Sequence, residues 1–125
     1  MRPTRDILYT CGQTVSGDTL HVFVVHMPSR FGGERYSRPF RQAAADRLCL
    51  SVDSIQAVTS EPKIQIAGDF NDGDDSLILQ QIEQHGIRNL TKEASAPKDI
   101  HGTYRYKGQW ESIDHILGSP YIYNK

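Results

Sequence analysis

Residues 63–72 read Lys63-Ile64-Gln65-Ile66-Ala67-Gly68-Asp69-Phe70-Asn71-Asp72, and the organisation of the chain follows from them. Ile64 and Ile66 alternate with Gln65, the period of a strand. After Gly68, Asp69 and Asn71 stand two residues apart, so extended geometry puts their side chains on one face. A carboxylate held beside a carboxamide can position a water, a phosphate oxygen or a metal-bound hydroxide. Gly, Asp and Asn are also the ordinary residues of a strand-to-turn exit. By itself the stretch leaves both readings open.

Upstream, Leu20 to Met27 (LHVFVVHM) is rich in β-branched and aromatic residues and apolar on both faces apart from His21 and His26. That pattern predicts a central strand buried from both sides, closed by Pro28 directly after His26 and Met27. Beyond a Gly-containing loop, Ser37 is placed as an N-cap with Pro39 in the first turn. Phe40, Ala44, Leu48, Val52 and Ile55 then mark one face of a helix that ends before Pro62. It has roughly 20 residues, or about 30 Å. Strand, helix, strand is a βαβ unit with parallel strands and a right-handed crossover. Both strands then end on the same rim of the sheet, where open α/β folds bind ligands. His26, Asp69 and Asn71 are expected to emerge there together.

The flanking regions add weaker elements. Asp6–Thr10 reads as a strand, with a turn over residues 12–18. Ser76–His85 reads as a second helix with Gly86 as its C-terminal cap. Ile87–Leu90 is a short strand, and residues 91–102 are a polar loop. Thr103–Tyr106 and Gln109–Leu117 form a hairpin around Lys107-Gly108. In its second arm Asp114 and His115 interrupt an apolar run. Strict alternation aims them at opposite faces, so both serve one site only if the backbone twists or bulges. A carboxylate buried in such a strand needs a partner, since leaving it unpaired costs several kcal/mol. With this strand antiparallel to the other two, five polar side chains would converge on the rim.

With 125 residues, 38% hydrophobic and 23% charged, the chain is expected to form one unit around one core. No run of about 18 apolar residues exists to cross a membrane, and residues 1–6 carry no apolar signal-peptide segment. Cys11 and Cys49 lack the spacing of a metal site and are read as free thiols, Cys49 buried on the helix. A net charge of −1 argues against coating nucleic acid or anionic lipid by bulk electrostatics. Arg30, Arg35, Arg38 and Arg41 nevertheless cluster around a single acid, Glu34, either as a solvated loop or as a place to meet an anion.

Two histidines, two aspartates and an asparagine suit metal-assisted hydrolysis of a phosphoester: an aspartate holds a hard cation such as Mg²⁺, an aspartate–asparagine pair orients the attacking water, and histidines meet the phosphate. A histidine zinc site is a competing interpretation, without a histidine pair at i, i+4 or a nearby cysteine. A Ser-His-Asp hydrolase is weaker, because no G-x-S-x-G occurs.

Val22–Arg30 (VFVVHMPSR), Ile66–Asp72 (IAGDFND) and Ser112–Leu117 (SIDHIL), in that order, resemble the endonuclease/exonuclease/phosphatase superfamily of deoxyribonuclease-like phosphoesterases. The resemblance implies an α/β fold, half of a four-layered α/β/β/α sandwich, with one mixed sheet covered on one face by two helices. His26 and His115 match the family's phosphate-contacting histidines, Asp69 and Asn71 the pair that activates and positions the nucleophile, and Asp114 a metal ligand; Arg30 follows His26 closely enough to reach a substrate phosphate. The cofactor implied is Mg²⁺ or Mn²⁺. No residue before His26 matches the family's principal metal-binding glutamate, so residues 1–125 resemble the C-terminal portion of the domain. Such a fragment of a phosphoesterase, acting on nucleic acid, phospholipid or sugar phosphate, is expected to be inactive alone. Its expected partners are the phosphate ester, the missing N-terminal half and a second copy bound through the exposed sheet face. Glu111 and Asp99 are candidates to orient His115. The alternative is a non-catalytic interaction module that keeps the half-sandwich.

Overall fold

The computed structural model describes residues 7–27, 34–71, 76–91, 104–106, 109–111 and 114–123. Strand β1 (Ile7–Gln13) turns through Thr14–Asp18 into β2 (Thr19–His26), and the turn is closed by Thr14 N donating to Asp18 O at 2.7 Å. Helix α1 (Glu34–Val58) leads to β3 (Lys63–Asp69), and α2 (Leu77–Glu83) to the two-residue β4 (Arg88–Asn89). A hairpin of β5 (Tyr104–Tyr106) and β6 (Gln109–Glu111) precedes β7 (Asp114–Gly118) and the single turn α3 (Pro120–Tyr123).

One mixed sheet has the order β1-β2-β3-β7-β4, with β2 and β3 parallel and the other neighbours antiparallel. The fold is α/β, as the sequence predicts. Three details differ. Helix α1 has 25 residues and begins at Glu34, so Ser37 lies inside it and Pro39 is an interior proline. Ser37, fully buried, accepts a hydrogen bond from Arg41 at 2.7 Å instead of capping the helix. The expected hairpin arm over residues 109–117 is two elements, because β6 pairs with β5 whereas β7 joins the main sheet between β3 and β4.

The third difference concerns β2. Cross-strand registry aligns Phe23, Ile66 and Leu117 in one row, and all three are buried with Ala45, Leu48 and Val52 of α1 and Ile78, Leu79 and Ile82 of α2. The helices therefore cover this face. The alternate row is Leu8, Val24, Ala67 and Ile116, and Leu8, Val24 and Ile116 are exposed by 69, 47 and 41%. The strand expected to be buried from both sides is covered on one, because a single helical layer packs on the sheet.

Both thiols are free. Cys49 packs in the core of α1, and burial, with Asp53 and Asp46 adding to it, pushes its thiol up to about 11. Helix α2 is capped by Ser76, whose hydroxyl accepts from Leu79 N at 3.1 Å. No described helix is long and apolar enough to cross a membrane.

Candidate active site

The β2–β3 and β3–β7 registers pair His26 with Asp69 and Asp69 with Asp114. The three residues therefore form a cross-strand row at one end of the sheet, on the same open face as Val24, Ala67 and Ile116. His26 Nε2 lies 3.9 Å from Asp69 Oδ2, with side chains 62 and 33% exposed. That separation exceeds a hydrogen bond.

Asn71 is fixed just beyond the strand. Its backbone is left-handed, φ 51°, a conformation that asparagine tolerates better than most residues. Its N–H donates to Asp69 Oδ1 at 2.9 Å, and its carboxamide Nδ2 donates to Met27 O at 2.8 Å. Met27 N in turn donates to Asp69 O at 2.8 Å, so the ends of β2 and β3 are tied to each other. The pair therefore has a built geometry: one Asp69 oxygen is held by the Asn71 backbone, while the other faces His26.

Gly68 makes that exit possible. Its φ is +142°, and a Cβ built there would lie 2.0 Å from Val25 O. A side chain would push β2 and β3 apart immediately before Asp69.

Four of the five expected side chains, His26, Asp69, Asn71 and Asp114, meet at this rim. His115 stands on the other face. The β7 register is regular, without the bulge that would bring both residues to one side, so His115 aligns with Gly68 and is 1% exposed. Its ring packs 5.6 Å from that of Phe70, centroid to centroid. It nevertheless lines a cleft of about 320 Å³ together with Gly68, Asp69, Thr91, Asp114 and Ile116. Arg30 and Asp99 lie outside the described residues, as does the Glu111 side chain. Asn89, 2% exposed, is a partner of His115: its Nδ2 lies 3.4 Å from His115 Nδ1. Nothing in the local sequence around Asn89 marks it as a partner of His115, because the pairing arises from β4 lying beside β7.

The family model for the endonuclease/exonuclease/phosphatase family matches residues 1–125. The chain belongs to this family. No match is found among curated proteins. Among solved structures, it is similar to a family protein from Bacteroides thetaiotaomicron, with TM-score 0.69 and 17% identity over 90% of this chain and 40% of that one. Similarity to the human Nocturnin catalytic domain with bound sulfate has TM-score 0.65 and 20% identity, again over 90% and 40% of the two chains. Truncated TDP2 from Caenorhabditis elegans gives TM-score 0.64 and 16% identity over 90% and 46%. At these identities the likeness establishes the fold. The chain thus spans roughly two-fifths of the structures it matches, consistent with part of an endonuclease/exonuclease/phosphatase sandwich.

The donor set can be tested against the divalent cation that the family implies. Asp69 and Asp114 face each other directly across an antiparallel pair, a like-charge arrangement that is unfavourable and that a cation offsets. Among the described residues no three His, Cys, Asp or Glu side chains gather as a ligand cluster. Two adjacent carboxylates fit Mg²⁺, which keeps water and substrate oxygens in most of its coordination shell, better than they fit a closed protein cage.

Proposed function

We propose that the chain carries part of the active centre of a divalent-metal-dependent phosphoesterase. The row His26–Asp69–Asp114, with Asn71 fixed beside it, is the observation that carries this reading. Asp69 and Asn71 orient the attacking water: the Asn71 N–H holds one carboxylate oxygen, leaving the other to accept the water's proton. His26, exposed beside Asp69, meets the substrate phosphate, and Arg30, four residues on in the sequence, is a further candidate to meet it. Asp114 would hold the cation, with Asp69 next to it. When bound, the cation supplies charge stabilisation for the phosphate and offsets the repulsion between the two aspartates. His115, buried and next to Asp114 in the sequence, lines the same cleft as Asp69 and Asp114. The substrate is a phosphomonoester or phosphodiester of nucleic acid, lipid or sugar.

The row lies on the open sheet face, so groups that complete the site would approach from the side that no described helix covers. The 125-residue chain alone is therefore expected to bind Mg²⁺ weakly and to hydrolyse little. The test assays this chain, and a longer polypeptide that includes the rest of the sandwich, against a panel of phosphomonoesters and phosphodiesters with Mg²⁺. Activity in the longer protein should fall by at least about 100-fold in Asp69→Ala, the scale of losing a general base. A folded longer protein inactive on the whole panel would refute the phosphoesterase reading. Robust Mg²⁺-dependent cleavage by the short chain, abolished in Asp69→Ala, would refute its inactivity alone.

A further inference from the structure

Strand β1 ends the sheet, and among the described residues nothing pairs with its outer edge. Hydrogen-bond parity fixes which groups that edge presents. Thr14 N donates to Asp18 O at 2.7 Å, one step beyond the Gln13–Thr19 pair, so hydrogen-bonded pairs alternate from there along the β1–β2 ladder. Gly12, Thr10 and Leu8 therefore turn their N–H and C=O groups toward β2, and Ile7, Tyr9, Cys11 and Gln13 turn theirs outward. Met27 N donating to Asp69 O agrees, since it assigns the odd-numbered residues of β2 to β3 and leaves the even-numbered ones to β1. The edge carries none of the usual protection. Its sequence, ILYTCGQ, has no charge and no proline, and its pairs with β2 run without a bulge. Helix α1 stops short of it: Tyr9 is 49% exposed, and a cleft of about 380 Å³ opens between Ile7 and Tyr9 on one side and Arg47, Ser51 and Ile55 on the other.

We propose that β1 is a dimerisation edge: two copies of the chain pair their β1 strands antiparallel about a twofold axis at Thr10, joining two five-stranded sheets into one. The register follows from the strand itself. An axis at Thr10 sets Ile7 opposite Gln13 of the partner subunit and Tyr9 opposite Cys11 of the partner subunit, pairs that each exchange two backbone hydrogen bonds. Every outward-facing residue is then used, whereas an axis at Tyr9 leaves Gln13 unpaired and one at Cys11 leaves Ile7 unpaired. The side chains favour a second copy over a foreign strand. Large Ile7, Leu8 and Tyr9 fill one half of the strand and smaller Cys11 and Gly12 the other, so the axis sets each large residue against a smaller one. A Cβ built at Gly12 meets nothing within 4 Å, which leaves room for Leu8 of the partner subunit. Tyr9 meets a thiol, a favourable aromatic–sulfur contact, and Thr10 meets its own copy, a pairing that stabilises sheets. The axis is perpendicular to the sheet, so the open faces of both copies lie on one side and their His26–Asp69–Asp114 rows lie at opposite ends, clear of the contact. The proposal does not depend on the phosphoesterase reading.

Sedimentation of the 125-residue chain carrying Val24→Glu, which charges the open face and leaves the edge as it is, isolates this contact. That variant should form a dimer as concentration rises and nothing larger. Adding Thr10→Lys or Thr10→Glu places like charges across the axis and should weaken the dimer by at least about tenfold, and an equimolar mixture of the two should restore it. Oxidation of single cysteines in a Cys11→Ser chain reads the register and needs no change at Val24. Thr10→Cys puts two thiols on Cα atoms about 4.5 Å apart, within the span a disulfide bridges, and should cross-link. Leu8→Cys, on the same open side, faces Gly12 of the partner subunit and should not. The unmodified Cys11 lies diagonally from its copy, about 7–8 Å away, and should not cross-link either. A Val24→Glu chain that stays monomeric at the highest concentration would overturn the proposal and leave the edge to a strand of another protein. A dimer unaffected by charge at residue 10, equal cross-linking at residues 8 and 10, or rapid cross-linking through Cys11 would overturn it as well.

Discussion

At the scale of single residues, the rim depends on two backbone conformations. Gly68 has φ +142° and sits so close to β2 that a Cβ would meet Val25 O at 2.0 Å. Gly68→Ala should therefore destabilise the chain by at least about 2 kcal/mol, combining a strained backbone with a steric shift of two paired strands. Urea unfolding followed by circular dichroism measures this, and a change within about 0.5 kcal/mol, the range of neutral surface substitutions, would show that the close approach relaxes without penalty. Asn71 illustrates what was legible. The two-residue spacing from Asp69 was visible in the sequence, and the two residues do act as a pair. The contact, however, runs from the Asn71 backbone N–H to the carboxylate, while its side chain turns to Met27 O. Alternation alone does not predict this, because the left-handed φ of Asn71 ends the strand geometry.

At the scale of elements, α1 and α2 are joined by apolar packing and by polar bridges over it. Asp46 accepts from Gln42 at 2.9 Å and from Gln81 at 2.8 Å. The Gln81 and then the Gln42 hydrogen bonds hold its carboxyl below the usual carboxylate range. A lowered folded-state value means that the charged form is favoured by folding. This stabilisation is present above the unfolded carboxylate's value, about 4, and is lost as pH falls through the lower folded value. Stability measured from pH 6 down to about pH 2 should fall less steeply in Asp46→Asn than in the parent; superimposable profiles would show that the bridge contributes nothing to the acid response. The sequence showed the apolar face of α1 through Leu48 and Val52 but misplaced its start. Ser37 and Pro39 are ordinary N-terminal signals, overridden because Ser37 is buried as the acceptor for Arg41.

For the molecule as a whole, the decisive feature is the open row Leu8–Val24–Ala67–Ile116. Large apolar side chains aligned across a sheet form a surface that normally seeks a cover. In isolation the 125-residue chain should self-associate through this face. Light scattering across a concentration series should show rising mass, reduced by Val24→Glu; a strictly monomeric species at high concentration in the parent would count against the prediction. The alternation of Ile64 and Ile66, the two-faced apolar strand, the long amphipathic helix and the GDFND stretch were enough to determine by themselves a βαβ core and a shared rim for His26 and Asp69. These signals are local periodicities joined by a topological rule with few exceptions. Which side of the sheet the helices cover, the transfer of β7 into the main sheet, the burial of His115 and its pairing with Asn89 were decided only by the tertiary structure. Each depends on contacts between segments distant in sequence, whose registers and packing are selected together and leave no periodic trace in the segments themselves.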